Sequence, residues 1–214
     1  MPENSRLPNT PLIYLITKGD SNPSNFNEKK NEILEALRAA IESGIQLFQI
    51  REKQLTAKLL FELASESSTI TQGTGTKLLV NARADIALAA KADGVHLPAI
   101  SLRADVIRQS FPEEFIIGVS THSLAEAESA AKLGADFVVF GPVFESPGKG
   151  EAAGLEELQR VCGRMRNFPV IALGGINEMN SRSVLECGAS GFAAIRALTN
   201  SENLRKFSKV LRYE

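Results

Sequence analysis

The sequence predicts an α/β fold, a single (β/α)8 barrel of the TIM type. Short runs of β-branched and aromatic residues recur along the whole chain, each separated from the next by a longer segment with helical spacing. Strands that alternate with helices form parallel βαβ units. A chain of 214 residues lies at the small end of the size range of such barrels. An open, doubly wound sheet is the competing architecture.

Eight strands and eight helices are expected. The predicted strands cover residues 12–17, 45–50, 77–80, 94–97, 115–120, 137–140, 170–173 and 192–195. Between them, apolar residues recur at three- and four-residue intervals, as at Ile33, Leu37 and Ile41. A weak repeat supports the pattern, because Gly44, Gly134 and Gly188 each stand where a helix would end and a strand begin.

The chain reads as one domain. Residues 1–10 are polar and contain proline, so we expect a flexible N-terminal tail, and no linker or change of composition divides residues 11–214. The tail has no apolar core of a secretory signal, and no run of 18 apolar residues occurs. These features predict a soluble, cytoplasmic protein.

Composition narrows the classes of partner. Lys and Arg number 24 against 25 Asp and Glu, a net charge of −1, which argues against a nucleic-acid or anionic-membrane binder. The two cysteines lack CxxC spacing, and two histidines are too few for a zinc site. We therefore expect a small-molecule partner, with any metal held by carboxylates. The oligomeric state stays open, a homo-oligomer included.

Function in a TIM barrel belongs at the carboxyl ends of the strands. At the second strand, alternation places Gln49, Arg51 and Lys53 on the side facing the barrel axis, with Glu52 on the other. Buried cations need a partner, so either an anionic ligand or a structural ion pair with an acid such as Glu52 must lie nearby. The position of this polar stripe favours the ligand.

The next strand ends offer groups for a heterocycle and for proton transfer. Asn81 ends the third strand and has both a donor and an acceptor. His96, between apolar neighbours, is interpreted as a satisfied core histidine. Ser120 and His122 share one side of the fifth strand, and His122 is suited to take and return a proton, unless its ring only bonds a loop carbonyl. Ser123 is predicted to be the N-cap of the next helix.

The last three strand ends suggest an anion site. A loop rich in Gly and Pro follows the sixth strand and carries Lys149, which could close over an anionic substrate. Gly174 and Gly175 follow the seventh strand, and Arg196 follows the eighth. Barrel enzymes often bind phosphate on backbone amides of these two loops. The combination indicates a phosphate monoester.

Taken together, these motifs resemble those of the thiamin phosphate synthase/TenI superfamily from about residue 12 to 198. The matching segments are QIREK at 49–53, Asn81, GVHL at 94–97, GVSTHS at 118–123, FGPVF at 140–144 and GGI at 174–176. The resemblance implies a (β/α)8 barrel that handles thiazole phosphate in thiamin biosynthesis.

Two branches of that superfamily differ in chemistry. The synthases join a pyrimidine diphosphate to a thiazole phosphate with Mg²⁺, which an Asp directly after the third-strand Asn and a second acid would hold. This chain has Ala82 and Ser101 at those positions and Arg196 where the synthases usually have Ser. HLP at 96–98 and THSL at 121–124 look like the TenI branch, whose members are metal-independent thiazole tautomerases.

On that resemblance we expect a tautomerase that aromatises a thiazole phosphate carboxylate without a cofactor. It implies that His122 is the acid and base. Gly175, Ile195 and Arg196 would hold the phosphate. The carboxylate or a second anion would be left to Arg51, Lys53 and Lys149, and the pocket would be lined by Gln49, Asn81 and Ser120.

Two alternatives remain open. The first is a thiamin phosphate synthase that recruits Mg²⁺ through Asp85, Glu145 or the diphosphate of its own substrate. The second is a non-catalytic barrel that binds a thiamin-pathway metabolite.

Overall fold

A computed structural model describes residues 6–8, 11–146, 148 and 150–195 of the chain. Its eight strands are all parallel to their neighbours and form a closed barrel in sequence order, with β1 paired to both β2 and β8. The strands are β1 (Leu12–Ile16), β2 (Leu47–Ile50), β3 (Lys77–Asn81), β4 (Gly94–Leu97), β5 (Ile116–Thr121), β6 (Phe137–Phe140), β7 (Val170–Leu173) and β8 (Gly191–Ala194). The predicted (β/α)8 barrel is confirmed, and the open sheet is excluded by the β1–β8 pairing.

Seven helices occur within the described ranges. They are α1 (Phe26–Glu42), α2 (Ala57–Thr71), α3 (Ala84–Ala89), α4 (Ala104–Ser110), α5 (Leu124–Lys132), α6 (Gly154–Arg164) and α7 (Ser181–Glu186). The eighth predicted helix falls in residues 196–214, outside the described part of the chain. No helix among the described residues is long and apolar enough to cross a membrane.

The second strand begins two residues later than predicted. Gly44 has a φ of +72°, and its amide and that of Ile45 bond back to carbonyls of α1, at 3.0 and 2.9 Å. Ile45 is therefore part of the helix ending, although its side chain is buried. The β-branched Ile45 is thus part of the core, as its residue type predicts, but the strand begins only at Leu47.

Alternation along the strands builds two apolar layers. One lies between the strands and the surrounding helices and includes Ile13, Phe48 and Val95. The other fills the inside of the barrel with Leu12, Tyr14, Leu47, Leu79, Ile116, Phe137, Val139, Ile171 and Ala193. Gly118 makes room in the inner layer, since a Cβ there would lie 2.3 Å from the ring of Phe137. Side chains fill the lower barrel, so a ligand must bind at its mouth.

The amino-terminal side of the barrel is closed by an ionic cluster. Asp136, just before β6, accepts hydrogen bonds from Arg6 Nη1 at 2.8 Å, Arg108 Nη2 at 2.7 Å and the amide of Ile117 at 2.7 Å. Leu7 is buried in the inner layer. Residues 6–8 of the predicted tail thus pack against the barrel, while 1–5 and 9–10 lie outside the described residues.

Candidate functional site

The end of β2 brings a cation to the barrel mouth. Gln49 is 1% exposed on the inner face, and Arg51 follows it, half-buried, with its backbone amide bonded to Thr17 Oγ1 at 2.8 Å. A Cβ on Gly19 would lie 3.1 Å from Arg51 Nη1, so the guanidinium lies against the loop after β1. Within the described residues Arg51 has no ion pair. Its charge is therefore available to an anionic ligand.

Glu52 binds the backbone of the loop after β1. Its carboxylate is buried and accepts hydrogen bonds from the amides of Gly19 at 3.1 Å and Ser21 at 2.9 Å. The sequence left an ion pair between Glu52 and Arg51 open, but the carboxylate instead binds backbone. Glu52 thus fixes the loop against which the Arg51 guanidinium rests.

Lys53 and Asn81 also lie at the rim. Lys53 is exposed, whereas Asn81 is half-buried at the end of β3, beside His96 in the β3–β4 register. Ala82 follows with a φ of +61°, which is uncommon for a residue other than glycine, asparagine or aspartate. Its amide donates to the carbonyl of His96 at 2.8 Å, so the turn after β3 is tied to β4.

A polar cluster lies directly beneath this rim, inside the barrel. His96 is 4% exposed and lies between Tyr14 and Phe137, with ring centroids at 5.8 and 6.2 Å. Its Nε2 lies 2.8 Å from Ser120 Oγ. Three buried atoms, Tyr14 Oη, Gln49 Nε2 and His96 Nδ1, have no hydrogen-bond partner among the described residues.

Burial controls the ionisation of this cluster. Burial raises the pKa of Tyr14 well above its usual range. The nearby Gln49 side chain lowers that pKa by a smaller amount, although its contact with Tyr14 Oη does not meet the geometry of a hydrogen bond. Burial, aided by the positive charge of Arg51, lowers the pKa of His96 to about 3. Both side chains are therefore neutral near pH 7.

His122 lies just beyond the end of β5. The strand ends at Thr121, and His122 is exposed on the rim, with Nδ1 2.5 Å from the carbonyl oxygen of Gly141. Its backbone amide donates to Glu126 at 2.7 Å, and Ser123 Oγ accepts from the amide of Glu126 at 3.2 Å, which confirms Ser123 as the N-cap of α5. His122 lies one residue past the end of β5, so the alternation that predicted an inward orientation does not extend to it, whereas the Ser120 side chain lies on the inner face as predicted.

The loop from β6 to α6 covers the glycine pair after β7. The amides of Val143 and Phe144 donate to the carbonyls of Leu173 at 2.8 Å and Gly174 at 3.1 Å. Gly174 has a φ of +107° and Gly175 a φ of +62°. A Cβ on Gly175 would lie 2.7 Å from Phe144 Cβ. Only glycine allows the two loops to pack this closely.

The remaining predicted anion ligands are placed only in part. The side chain of Ile195, after β8, packs against the inner apolar layer, so only its backbone amide is left for an anion. Lys149 and Arg196 lie outside the described residues, and their proposed roles stay predictions.

The residues at the mouth do not fit a magnesium ion held by carboxylates of the chain. Ala82 and Ser101 stand at the two positions where the family resemblance implies acids. Asp85 is paired with Arg83 through contacts of 2.8 and 2.6 Å, and this bonding lowers the pKa of Asp85. In the described ranges no group of three His, Cys, Asp or Glu side chains could bind a metal.

Sequence reasoning missed part of the inner cluster. Tyr14 was not singled out, although Leu12, Tyr14 and Ile16 alternate onto the inner face as Gln49 does in β2. His96 is a core histidine as predicted, but it is only half satisfied, since Nδ1 has no described partner. The sequence offers a signal for the inward placement of His96. It stands two residues after Gly94 in the same strand, and alternate residues of a strand share a face.

A groove of about 420 Å³ lies beside the mouth, between the loop after β4 and helix α5. It is bordered by Pro98, Ser101, Ser120 and Thr121 and opens near two exposed apolar side chains, Ile100 and Leu102. Because Val119 of the outer apolar layer and Ala125 of α5 also line it, this groove lies on the helix side of β5.

Comparison with known proteins identifies the family. The family model described as thiamine monophosphate synthase matches residues 13–198. The thiamine-phosphate synthase of Syntrophomonas wolfei is 38% identical over 183 residues, 84% of this chain and 87% of that protein. That of Methanosarcina barkeri is 39% identical over 179 residues, 82% of this chain and 80% of that protein.

A solved structure agrees with these relatives. Thiamine phosphate pyrophosphorylase from Pyrococcus furiosus superposes with a TM-score of 0.79 at 32% identity, covering 98% of this chain and 95% of that one. The prediction of a thiazole tautomerase is wrong, because relatives at this level of identity are named as synthases. Two missing carboxylates did not separate the branches. Matched over nearly all of its barrel, the chain belongs to the thiamine monophosphate synthase/TenI family.

Proposed function

We propose that this protein is a thiamine-phosphate synthase, which joins a pyrimidine diphosphate to a thiazole phosphate. The observation that carries the proposal is the similarity to synthases along nearly the whole chain, at 38 and 39% identity. The geometry supports it, because Arg51 brings to the mouth a positive charge that no described acid neutralises. A diphosphate is the group that such a charge would bind.

The reaction is a substitution at the methylene carbon of the pyrimidine. The thiazole nitrogen supplies the electron pair of the new C–N bond, and the C–O bond to the diphosphate breaks, so that inorganic diphosphate leaves with its electron pair. The thiazole nitrogen carries no proton to remove. An acid and base of the kind assigned to His122 is not needed for this step.

The chain's residues would divide the work between two anions. Arg51 and Lys53, at the end of β2, would hold the diphosphate, with Asn81 and Ser120 beside it. The amides of Gly175 and Ile195 would hold the phosphate of the thiazole, across the mouth. Gln49 reaches inward from β2 toward the heterocycle. Two bound anions orient the reacting atoms, and positioning of this kind is a major source of rate acceleration.

The test supplies pyrimidine diphosphate and thiazole phosphate and measures thiamine phosphate and released diphosphate. We expect both products in equal amounts. Because the described residues hold no cluster of three His, Cys, Asp or Glu side chains that could bind a metal, the assay is run with Mg²⁺ and with a chelator. Absence of product under both conditions would overturn the proposal.

Arg51→Met tests the assignment of the diphosphate. The change keeps most of the side-chain volume and removes the charge, so we expect kcat/KM to fall by about 10²-fold or more, since a charge-assisted hydrogen bond contributes roughly 1.5–3 kcal/mol and is lost together with the charge. The control is Arg160→Met on α6, whose guanidinium pairs with Glu157 at the surface. Equal activity of the two variants would remove Arg51 from the site.

A further inference from the structure

The strongest unexplained feature is the contact between His96 and Ser120. His96 lies inside the barrel on β4, with Nε2 2.8 Å from Ser120 Oγ on β5. Its other nitrogen, Nδ1, is buried and has no described partner. The aromatic rings of Tyr14 and Phe137 flank the imidazole. The imidazole thus has one polar contact, and that contact is a residue of the proposed substrate site.

The two neutral tautomers of His96 differ in what remains unpaired. If Nδ1 carried the proton, a buried N–H donor would lack an acceptor. If Nε2 carries it, that N–H donates to Ser120, and only a lone pair at Nδ1 stays unpaired. Buried donors without an acceptor are rarer than acceptors with spare capacity. The Nε2–H tautomer is therefore the one this environment favours, and burial keeps the ring uncharged near pH 7.

The tautomer decides what the serine hydroxyl can do. Its oxygen accepts from His96, so its single proton must point elsewhere. Ser120 lies two residues beyond Gly118, the register partner of His96, so its side chain lies on the inner face near the carboxyl end of β5. Arg51 follows the carboxyl end of β2, so it lies at the same end of the closed parallel barrel as Ser120.

We propose that His96 is a positioning residue that turns the Ser120 hydroxyl into a donor toward the anion bound by Arg51. The proposal deepens the synthase function and rests on it for the identity of the anion. The tautomer itself depends only on the packing inside the barrel.

Nitrogen NMR tests the tautomer directly. The chain has two histidines, so a protein labelled with ¹⁵N-histidine gives two imidazole spin systems, and His122→Gln assigns them. We expect His96 to show a protonated Nε2 and an unprotonated Nδ1, unchanged between pH 5 and 9. His122, bonded through Nδ1 to a carbonyl oxygen, should carry its proton on Nδ1. A protonated Nδ1 on His96, or titration in this range, would overturn the proposal.

Binding of inorganic diphosphate tests the consequence without requiring turnover. By calorimetry, Ser120→Ala and His96→Leu should each weaken binding by about 10-fold, the loss of one hydrogen bond to a charged group. His96→Gln, which can keep a donor near Ser120, should recover most of the affinity. In the Ser120→Ala background, His96→Leu should have little further effect, because the histidine acts through the serine.

These outcomes separate the two proposals. Independent, multiplicative losses in the double variant, or no recovery in His96→Gln, would show that His96 only fills space and would sink the positioning role. Failure of the synthase assay with the expected NMR and calorimetric results would overturn the reaction and leave the anion site standing.

Discussion

At the residue scale, the site combines a half-buried cation, Arg51, with a neutral, buried interior. Arg51 meets solvent at the mouth, whereas His96 and Tyr14 beneath it stay uncharged because water is excluded. A neutral histidine has one donor nitrogen and one acceptor nitrogen, so its tautomer sets the direction of a hydrogen bond to a neighbouring hydroxyl. A charged imidazolium has two donor nitrogens and can only donate.

Burial of His96 predicts a loss of stability in acid. Its pKa of about 3 in the folded protein lies below the ordinary value of 6.5, so between these values the unfolded chain binds a proton that the folded chain does not. The free energy of unfolding should therefore fall as pH drops below about 6.5, by up to roughly 1.4 kcal/mol per pH unit from this group.

Urea unfolding of the wild type and of His96→Gln at several pH values checks this. Surface carboxylates contribute equally to both proteins, so the free energy of unfolding of the wild type should fall more steeply between pH 6 and 4. The difference in slope should correspond to about one additional proton bound on unfolding. Parallel curves for the two proteins would contradict the prediction.

His122 illustrates how local geometry limits chemistry. Its Nδ1 is engaged by Gly141 at the start of the loop after β6, and its amide is bound by Glu126. The residue therefore joins the ends of β5 and β6.

At the element scale, two loops meet through glycine. The loop after β6 extends its pairing onto the end of β7, and Gly175 allows the contact. Gly175→Ala should lower the free energy of unfolding by about 1–3 kcal/mol, because alanine is strained at a φ of +62° and its Cβ would meet Phe144.

The matched control is Gly163→Ala. Gly163 lies within α6, where an added Cβ would meet nothing within 4 Å. Alanine is favoured over glycine inside a helix by roughly 0.5–1 kcal/mol, so this variant should be slightly more stable. Chemical unfolding of both variants measures the difference, and equal stabilities would show that the two loops do not depend on close packing.

At the scale of the whole molecule, the ends of the barrel have separate tasks. The carboxyl ends of the strands carry the mouth, and the amino ends are held by Asp136, whose side chain is 10% exposed and contacts Arg6 and Arg108. The cluster links the N-terminal segment, the C-terminal part of α4 and the start of β6. Its residues are far apart in the sequence, and we assign it a structural role.

Asp136→Asn should lower the free energy of unfolding by about 2–4 kcal/mol, because two partly buried guanidinium groups would lose their common charge partner. Glu113→Gln is the control, since Glu113 is 89% exposed and 3.6 Å from Arg6, and a change below about 0.5 kcal/mol is expected. Thermal unfolding in the presence of the anionic substrates should show unchanged ligand stabilisation in both variants. A selective loss of ligand stabilisation would mean that this cluster is coupled to the mouth.

The sequence by itself determined the barrel and the inward side of the second and fifth strands. Eight repeats fix the order of the elements, and the period of two places Gln49 and Ser120 on the inner face before any contact is known. It did not determine the branch of the family, since Ala82 and Ser101 argued for a tautomerase while the relatives are synthases.

Only the tertiary structure decided how the polar groups meet. Closure of the sheet brings His96 against Ser120 and between Tyr14 and Phe137, residues from four strands that sequence spacing does not relate. It also decided that Glu52 binds the loop after β1 and that His122 Nδ1 contacts the carbonyl oxygen of Gly141. Local periodicity sets which way a side chain leaves its strand, but its partner depends on which strands lie beside it and where each one ends.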